Sequence, residues 1–369
     1  MVIIEANSTI NEFKSIYTYR GRWALRLALQ ILGIGSGDKV AVQAFTCTAV
    51  PEAVSSIGAN PLFIDVTEDG VNMCPSDLRR KIDKNVKIVV LQHTYGSSSN
   101  IDILFSICEK FGILVIEDCC HLPFSNHTLK ALGTRSVAKF FSFEWGKPLP
   151  VGIGGALVFT DQAFYERCTK FSMRLKKPGS VDVFRIEVQF LLFKILYRPE
   201  FYFKLKKLFH IAGNLGLAIS NHKKPGIDEP MDEMYWTISP LVRRRIEKMD
   251  LCDFDTNLRI RVKNFLNMIR SENSISSTAL SLDSDYLMRL PVHVKNKDLV
   301  LVQARLSNFE LADWYSTPVH PYSTEECLNL GWDVRSCSNA LHLSKHIVTI
   351  PLNKEFSITK TCEFLKVFK

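Results

Sequence analysis

The sequence lacks the features of a membrane-spanning, secreted, fibrous or disordered protein. Of its 369 residues, 46% are hydrophobic, yet the longest uninterrupted apolar runs are far too short to cross a bilayer. The first residues, MVIIEANSTINEF, contain no basic region followed by an apolar run, so we expect no signal peptide. The 23% of charged residues, the 18 glycines and the 15 prolines argue against a disordered or collagen-like chain.

The spacing of the cysteines argues against a zinc site and against a disulfide framework. Among ten cysteines, Cys119 and Cys120 are adjacent and the others are scattered singly, with no CxxC pair. We therefore predict reduced thiols, a cytoplasmic protein and no metal site. The sequence also lacks a nucleic-acid-binding module, so we expect no nucleic-acid partner. Its net charge of +8 could favour anionic small molecules or a membrane surface.

The first half of the chain alternates short β-rich runs with helical patterns. Residues 87–91 (KIVVL) are apolar on both faces, which is typical of a buried central strand. The alternation predicts an α/β fold with a mainly parallel central sheet flanked by helices, and a site at the carboxyl ends of the strands. The predicted strands are Lys39–Phe45, Pro61–Asp65, Val86–His93, Ile113–Glu117, Lys139–Phe143 and Ala156–Thr160, and the predicted helices are Trp23–Leu32, Pro51–Ile57, Cys74–Ile82 and Ile101–Phe111.

Near residue 180 the pattern changes to an aromatic and aliphatic stretch with embedded cations, residues 184–213. Pro199 predicts a break between two helices. The lysines among the apolar residues of the second helix are typical of an interfacial helix on anionic lipid, but packing on the protein or on a second subunit is the commoner use of such a pattern. One face of the first helix carries Phe184, Val188, Leu191, Leu192 and Ile195, and the lysines of the second are Lys204, Lys206 and Lys207.

A smaller α+β unit is predicted after a polar linker, His222–Met231. Its predicted elements are one long helix, two strands and a terminal helix, at Ser239–Arg270, Tyr286–Pro291, Ile347–Pro351 and Ile358–Phe368. We therefore divide the chain into a large α/β domain (1–180), an apolar and basic helical insertion (181–225) and a small C-terminal α+β domain (226–369).

Three features near the ends of predicted strands could carry chemistry. Asp118 ends a strand, where a buried carboxylate could hold a protonated ring nitrogen, although capping of the next helix is an equal alternative. Lys147 follows the next strand among apolar neighbours and could form a Schiff base, although a lone loop lysine is more often simply solvated. Residues 152–155 (GIGG) permit a tight turn near a ligand but form no Walker loop, because Lys147 precedes them.

Taken in order, these features resemble the DegT/DnrJ/EryC1/StrS family of sugar aminotransferases. The strings IEDCCH, FFSFEWGKPL and GIGGALVFTD are similar to the family's ED-A-A-Q/H segment, to its FSF string followed four residues later by the Schiff-base lysine, and to its G-x-GG turn. The upstream stretches LGIGSGDKV, AFTCTAVPEAVSSIGANPLFID and LQHTYGSSSNIDIL agree as well. The resemblance is strong over residues 20–180 and weak over residues 235–369.

The resemblance implies a fold-type I enzyme that binds pyridoxal 5′-phosphate, and a homodimer. Lys147 would form the Schiff base and be the catalytic proton-transferring group. Asp118 would pair with the ring nitrogen and keep it protonated. His121 would lie against the ring hydroxyl, where the family has Gln or His.

The phosphate end of the implied site departs from the family's pattern. Ser142 would bind the phosphate together with backbone amides near Gly21 and Arg22. Here the family's Ser-Gly-Thr-Ala string is replaced by RGRW, so Arg22 could contact the phosphate directly. Cys47 stands where the family has an aromatic ring that stacks on the cofactor, and the Asn-x-Arg motif before Ser239 is absent. These departures predict an intact cofactor attachment with altered substrate recognition.

Two further sets of residues keep alternative interpretations. Arg243, Arg244 and Arg245 could replace lost phosphate contacts, although a solvated helix face is the usual role of such a run. His93 and Tyr95 could lie near the cofactor, or could be structural residues at a strand end.

The predicted function is transfer of an amino group, from a donor such as glutamate, to a nucleotide-linked keto-sugar in amino-sugar or polysaccharide biosynthesis. Two alternatives stay open. A pyridoxal-phosphate-dependent sugar dehydratase would have histidine in place of Lys147. A degenerate, non-catalytic relative could dock on a membrane glycan assembly through residues 184–213, as a peripheral protein on the inner face of the membrane.

Overall fold

The computed structural model describes residues 13–196, 202–214, 231–271, 286–307 and 309–352, together with residues 216, 218, 219 and 364. The strands are β1 (Ser15–Thr18), β2 (Lys39–Gln43), β3 (Thr46–Cys47), β4 (Asn60–Ile64), β5 (Val86–Gln92), β6 (Leu114–Asp118), β7 (Ala138–Ser142), β8 (Gly155–Phe159), β9 (Arg289–His293), β10 (Val319–His320) and β11 (Ile347–Pro351). The helices are α1 (Gly21–Ile31), α2 (Ala49–Ser55), α3 (Pro75–Lys81), α4 (Ile101–Phe111), α5 (Asn126–Leu132), α6 (Gln162–Ser172), α7 (Ser180–Leu196), α8 (Tyr202–Asn214), α9 (Pro240–Lys248), α10 (Leu251–Ser271), α11 (Lys297–Leu306), α12 (Thr324–Asn329) and α13 (Ser338–His346).

The central sheet has seven strands in the order β1-β8-β7-β6-β5-β2-β4. The strands from β7 to β4 are parallel, whereas β8, at one side of this group, pairs antiparallel both with β7 and with the edge strand β1. The carboxyl ends of β5, β6 and β7 therefore meet at one side of the sheet, where His93, Asp118 and Ser142 lie. The predicted α/β architecture is confirmed, and so are the six strands and four helices predicted for the first half.

The central strands are buried as their composition predicts. In β5, Ile88, Val89, Val90 and Leu91 are all nearly inaccessible to solvent. Helices cover both faces, because β-branched runs without polar alternation leave no face suited to water. The edge strand β1 and the helices α5 and α6 were not predicted. Ser125 and Asp161 directly precede α5 and α6, and their side chains cap the first turns of these helices.

The second half corrects one predicted element. Ser239–Arg270 is not a single helix, since α9 ends at Lys248 and α10 begins at Leu251. The side chain of Asp250 accepts hydrogen bonds from the amides of Cys252 and Asp253, which starts a new helix there. The predicted strands correspond to β9 and β11, which pair antiparallel. The polar linker and the terminal helix lie outside the described residues, apart from Met231 and Phe364, and the three-domain division stays a prediction.

The apolar stretch after residue 180 forms two helices, α7 and α8, as predicted. One face of α7 packs on the protein through Ile186 and Gln189. The opposite face is the predicted apolar one, and its side chains are 39–69% exposed: Phe184, Val188, Leu191, Leu192 and Ile195. No helix within the described ranges is long and apolar enough to cross a membrane. The nine cysteines that the structure describes are all free thiols.

Candidate active site

Lys147 and Asp118 lie in one site at the carboxyl ends of β6 and β7. Asp118 is the last residue of β6, and Lys147 follows β7 in the loop that leads to β8. The ammonium of Lys147 is close enough to influence the pKa values of Asp118, Cys47 and His121 electrostatically. The structure therefore brings together the two residues on which the predicted cofactor site depends.

Asp118 is a buried carboxylate with few partners of its own. One of its oxygens accepts a hydrogen bond from the Cys120 amide at 3.0 Å. Burial raises the pKa of the carboxyl group, and the Cys120 hydrogen bonds and the charge of Lys147 oppose that rise only in part. The helix-capping alternative is wrong, because Ser125 caps the next helix. The environment of Asp118 therefore favours an additional cation.

His121 is held as a neutral imidazole with one defined donor atom. Burial and the charges of Lys147 and Arg289 lower its pKa well below the usual range. Its Nδ1 accepts a hydrogen bond from the Tyr95 amide at 3.0 Å. Because Nδ1 accepts, the proton of the neutral ring lies on Nε2. His121 can therefore donate a hydrogen bond to a ligand oxygen from Nε2.

Two aromatic residues that the sequence analysis missed form a wall of this site. The Nζ of Lys147 lies 4.9 Å from the centre of the Trp314 ring, and the guanidinium of Arg289 lies 4.8 Å from it. The His121 ring lies 5.3 Å from Trp314. Burial raises the pKa of Tyr315, and the nearby Cys47 and Asp118 raise it further. Both residues belong to the second half of the chain, where the resemblance is weak.

Cys47 lies at the position where the family has its stacking aromatic. It belongs to the short strand β3, which pairs with β10 through Thr46 and Cys47. Burial raises the pKa of its thiol, and the charge of Lys147 opposes this. The proximity of Tyr315 and Trp314 to Cys47 and Lys147 indicates that the aromatic surface of this site comes from the 314–315 segment.

Ser142 and the start of α1 lie side by side, as predicted for a phosphate site. A Cβ added to Gly21 would lie 3.0 Å from the Cβ of Ser142. The first turn of α1 contains no acidic residue and has no side-chain cap, so its amides and helix dipole suit an anion. Gly155 is required by the same packing, because a Cβ there would lie 2.6 Å from the Gly21 nitrogen. The glycine-rich turn thus lets α1 approach the sheet.

Arg22 is near the predicted phosphate position but is engaged by an acidic residue. Its guanidinium pairs with Glu52 at 3.0 Å, and the Tyr322 hydroxyl donates to the other oxygen of Glu52 at 2.5 Å. Any direct contact of Arg22 with a phosphate would share the guanidinium with this carboxylate. Arg20, in contrast, is structural, since it pairs with Glu144 in the Lys147 loop and with Glu233.

The Lys147 loop is held from outside by α7 and α9. The Trp145 ring packs on Phe193 of α7, with ring centres 4.8 Å apart. Arg245 of α9 donates to the Val151 carbonyl at 3.0 Å and pairs with Glu187 of α7. Lys147 itself is half-buried, so its cleft is less dry than the apolar neighbours predicted.

The contacts of the arginine run, and those of His93 and Tyr95, favour the structural interpretation of these residues. Arg245 serves the loop, Arg243 pairs with Glu247, and Arg244 is exposed, so the arginine run does not replace the phosphate contacts. His93 is buried and hydrogen-bonded to Glu117 beneath the site. Tyr95 holds His121 through its amide.

Comparison with known proteins agrees with this geometry. Residues 10–186 match the model of the DegT/DnrJ/EryC1/StrS aminotransferase family. These residues make up just under half of the chain. The GDP-perosamine synthase of Vibrio cholerae is 34% identical over 161 residues, which are 44% of this chain and 43% of that protein. The spore coat polysaccharide biosynthesis protein SpsC of Bacillus subtilis is 31% identical over 150 residues, 41% of this chain and 39% of that protein. The chain thus spans less than half the length of the curated relatives it matches.

The fold extends over nearly the whole chain. A putative sugar aminotransferase of Streptococcus pneumoniae, solved in its PMP form, covers 96% of this chain and 87% of its own, with a TM-score of 0.69 and 17% identity. The same protein is also solved in a PLP form. The predicted fold-type I architecture is therefore confirmed, and the predicted resemblance to the family is confirmed over residues 10–186. Pyridoxal phosphate is the cofactor of that family.

The residues of this chain fit that cofactor. The buried carboxylate of Asp118 has the environment to take a protonated ring nitrogen, and the amine of Lys147 lies within its electrostatic reach. His121 has a donor nitrogen for the ring hydroxyl of the cofactor, and the cradle formed by Gly21 and Ser142 suits its phosphate.

Proposed function

We propose that this chain is a pyridoxal-phosphate-dependent aminotransferase that moves an amino group, from glutamate as donor, to a nucleotide-linked keto-sugar in amino-sugar or polysaccharide biosynthesis. The observation that carries the proposal is the electrostatic proximity of Lys147 to Asp118 within a segment that matches the family. The printed names of relatives, such as GDP-perosamine synthase, support a sugar as acceptor.

Each residue of the site has a role that its environment supports. Lys147 would attach the cofactor and then carry the proton that moves on the substrate. Asp118 would hold positive charge on the ring nitrogen, and His121 would donate from Nε2 to the ring hydroxyl oxygen. Ser142 and the first amides of α1 would hold the phosphate. The bound cofactor supplies the electron sink for the substrate carbanion.

The test uses the visible absorbance of lysine-bound pyridoxal. We expect the purified protein to be yellow and Lys147→Ala to lose that colour. Glutamate should bleach the wild-type protein, and a keto-sugar nucleotide should restore the colour while it is aminated. A colourless protein that gains no absorbance when pyridoxal phosphate is added would refute the proposal. Colour that no amino acid bleaches would favour the degenerate, non-catalytic alternative. The dehydratase alternative is already disfavoured, because Lys147 is present where a dehydratase would have histidine.

We also propose that a second copy of the chain covers the exposed apolar face of α7. The opposite face of α7 packs on the Lys147 loop, so a partner at this helix would stand next to the candidate active site. Phe184, Leu191 and Ile195 are 69%, 57% and 55% exposed, which is unusual for such a set of large apolar side chains. The exposed Lys204 and Lys207 of α8 favour the competing occupant, an anionic membrane.

Light scattering and vesicle flotation separate the two occupants. We expect the wild-type chain to be a dimer and the double variant Phe184→Ser, Leu191→Ser to be a monomer that keeps its folded circular dichroism spectrum. A monomeric wild-type protein that floats with anionic vesicles, and stops doing so when Lys204 and Lys207 are neutralised, would instead show a peripheral membrane surface. A cytoplasmic location stays a prediction.

A further inference from the structure

Three histidines from two elements meet at the end of β9 that lies away from the candidate active site. His293 ends β9, whereas His342 and His346 lie one turn apart on α13. One ring nitrogen of each histidine lies within 4.8 Å of a ring nitrogen of each of the other two. None of the three takes part in the proposed amino transfer. The residue of β9 that lies near the candidate active site is Arg289, at the opposite end of the strand.

The backbone fixes the three positions relative to one another. His346 ends α13 and is followed directly by β11, whose first residue, Ile347, pairs with His293. The amide of Val294 donates to the His346 carbonyl at 2.7 Å. His342 is then set by its place on α13, four residues before His346. The side chains therefore meet without any loop having to order itself.

Two of the nitrogens already have the separation of metal ligands. The Nε2 atoms of His293 and His342 are 3.3 Å apart. Two imidazole nitrogens bound to one tetrahedral Zn²⁺ at about 2.0–2.1 Å lie about 3.3 Å from each other. Two neutral imidazoles facing each other in this way share a single proton, and a metal ion can take the place of that proton.

The hydrogen bond of the third histidine fixes which of its nitrogens has a lone pair for a metal. The Nδ1 of His346 lies 2.9 Å from the His342 carbonyl, and because a carbonyl can only accept, Nδ1 carries the proton. The lone pair is then on Nε2. Metal-bound histidines commonly use this arrangement, in which the other ring nitrogen donates to a backbone carbonyl. The negative end of the α13 dipole lies at the same place and favours a cation.

A second group of close ligand atoms within the described ranges does not share these properties. His93, Glu117 and Cys119 are fully buried. The ammonium of Lys139 lies 3.0 Å from Glu117 and already provides the cation. The histidine group, by contrast, is partly open to solvent, so an ion can enter it.

We propose that His293, His342 and His346 form a three-histidine site for a divalent transition metal of the zinc class, with water as the fourth ligand. Three imidazoles suit Zn²⁺, Cu²⁺ and Ni²⁺ and do not suit Mg²⁺ or Ca²⁺. The bound ion joins α13 to β9 and, because it binds the folded state, raises the thermal stability of the chain.

The test is calorimetric titration of chelator-treated protein without a polyhistidine tag, using Zn²⁺ at neutral pH. We expect one ion per chain, an affinity at least about tenfold lower in His342→Gln and in His346→Gln, and a melting temperature that Zn²⁺ raises in the wild type but not in either variant. His342 is exposed on its helix, so its replacement should leave the fold intact. Mg²⁺ should give no comparable heat.

Two control variants exclude other zinc ligands. Cys252 is the exposed thiol of the described chain, and His127 is an exposed histidine elsewhere. Cys252→Ser and His127→Gln should bind Zn²⁺ as the wild type does, and Co²⁺ should give the visible spectrum of nitrogen ligands without thiolate bands. Equal Zn²⁺ binding by the wild type and both cluster variants, or no binding at all, would overturn the proposal.

Discussion

Two neighbouring carboxylates on β6, Glu117 and Asp118, have opposite environments. Their side chains point to opposite faces of the strand, because successive residues alternate. Glu117 is bonded to His93 at 2.9 Å, to Ser136 at 2.5 Å and to Lys139 at 3.0 Å. Although burial alone would raise the pKa of Glu117, these partners lower it to about 2. In Asp118, burial prevails and the pKa is raised.

The difference distinguishes a structural charge from a functional one. The protein itself supplies the cations and donors that Glu117 needs, so its charge is already balanced in the folded chain. Asp118 has its strongest charge partner in Lys147, the residue proposed to become attached to the cofactor. A buried carboxylate with a raised pKa and few partners is suited to a cationic ligand, which the protonated ring nitrogen would provide.

The largest effect on stability is expected when the balanced cluster is broken. Glu117→Gln removes the negative charge that balances the buried Lys139 and replaces one accepting oxygen by an NH2 donor, so the free energy of unfolding should fall by about 3–5 kcal/mol. Urea denaturation measures this. Glu109→Gln, which removes an exposed partner of Arg135, is the matched control and should change stability by less than about 1 kcal/mol. Equal effects of the two variants would contradict the proposed distinction.

The pH dependence of unfolding of the wild type should show the contribution of Glu117. The pKa of Glu117 is lower in the folded chain than in the unfolded chain, so its contribution is fully present above the unfolded value. It is lost as the pH falls from the unfolded pKa of 4.5 towards about 2. Unfolding measured across this range should be steeper in pH for the wild type than for Glu117→Gln. Parallel curves would show that Glu117 keeps an ordinary pKa.

Asp118→Asn should lower activity strongly and change stability little, which is the reverse of the stability loss expected for Glu117→Gln. Amino transfer should fall about 10²–10³-fold, because the charge opposite the ring nitrogen is lost. The cofactor-free protein should be no less stable than the wild type, since a buried charge with few partners has been removed. Steady-state kinetics and denaturation of the cofactor-free protein measure the two quantities. A destabilised variant with normal activity would place Asp118 with Glu117 among the structural residues.

The role of Asp118 could be predicted from the sequence better than the environment of Glu117. Asp118, Lys147 and residues 152–155 lie in local strings with fixed spacing, and the strand pattern around them is strong. The cluster of Glu117 depends on Ser136 and Lys139, which are brought to it by the pairing of β6 with β7. Nothing in the spacing of these residues indicated a buried ion pair, and a lysine inside a strand is ordinarily expected at the surface.

Contacts between residues far apart in the sequence also explain why site residues in the second half of the chain were not predicted. Trp314, Tyr315 and Arg289 reach the site through long-range packing, and their local sequence has no motif. The expectation of no metal site rested on the cysteines alone and did not take into account the pair His342 and His346, four residues apart on a helix. The break at Asp250 was also missed, because an acidic residue within a helical pattern is not by itself a sign of a new helix.

His121 allows a finer test of the ring side of the site. His121→Leu removes the proposed Nε2 donor and should lower amino transfer about 10- to 100-fold, as expected for a hydrogen bond to a charged oxygen. His121→Gln restores a donor that the family also uses, and its activity should stay within about tenfold of the wild type. If both variants had the same activity, His121 would act only through its contact with Tyr95.

The smallest effect concerns Arg22 at the phosphate end, and it decides whether this residue contacts the cofactor at all. Glu52 pairs with Arg22, and the Glu52 side chain is 30% exposed, so the pair contributes on the order of 1 kcal/mol. If Arg22 also binds the phosphate, Glu52→Gln should release its guanidinium and tighten pyridoxal phosphate binding a few-fold in fluorescence titrations. Arg22→Gln should then weaken binding, and the double variant should bind like Arg22→Gln alone, because Glu52 acts only through Arg22. If Glu52→Gln leaves the affinity unchanged while Arg22→Gln lowers only the thermal stability, the phosphate is held by Ser142 and the amides of α1, and Arg22 is a structural residue that has replaced the family's pattern without taking its role.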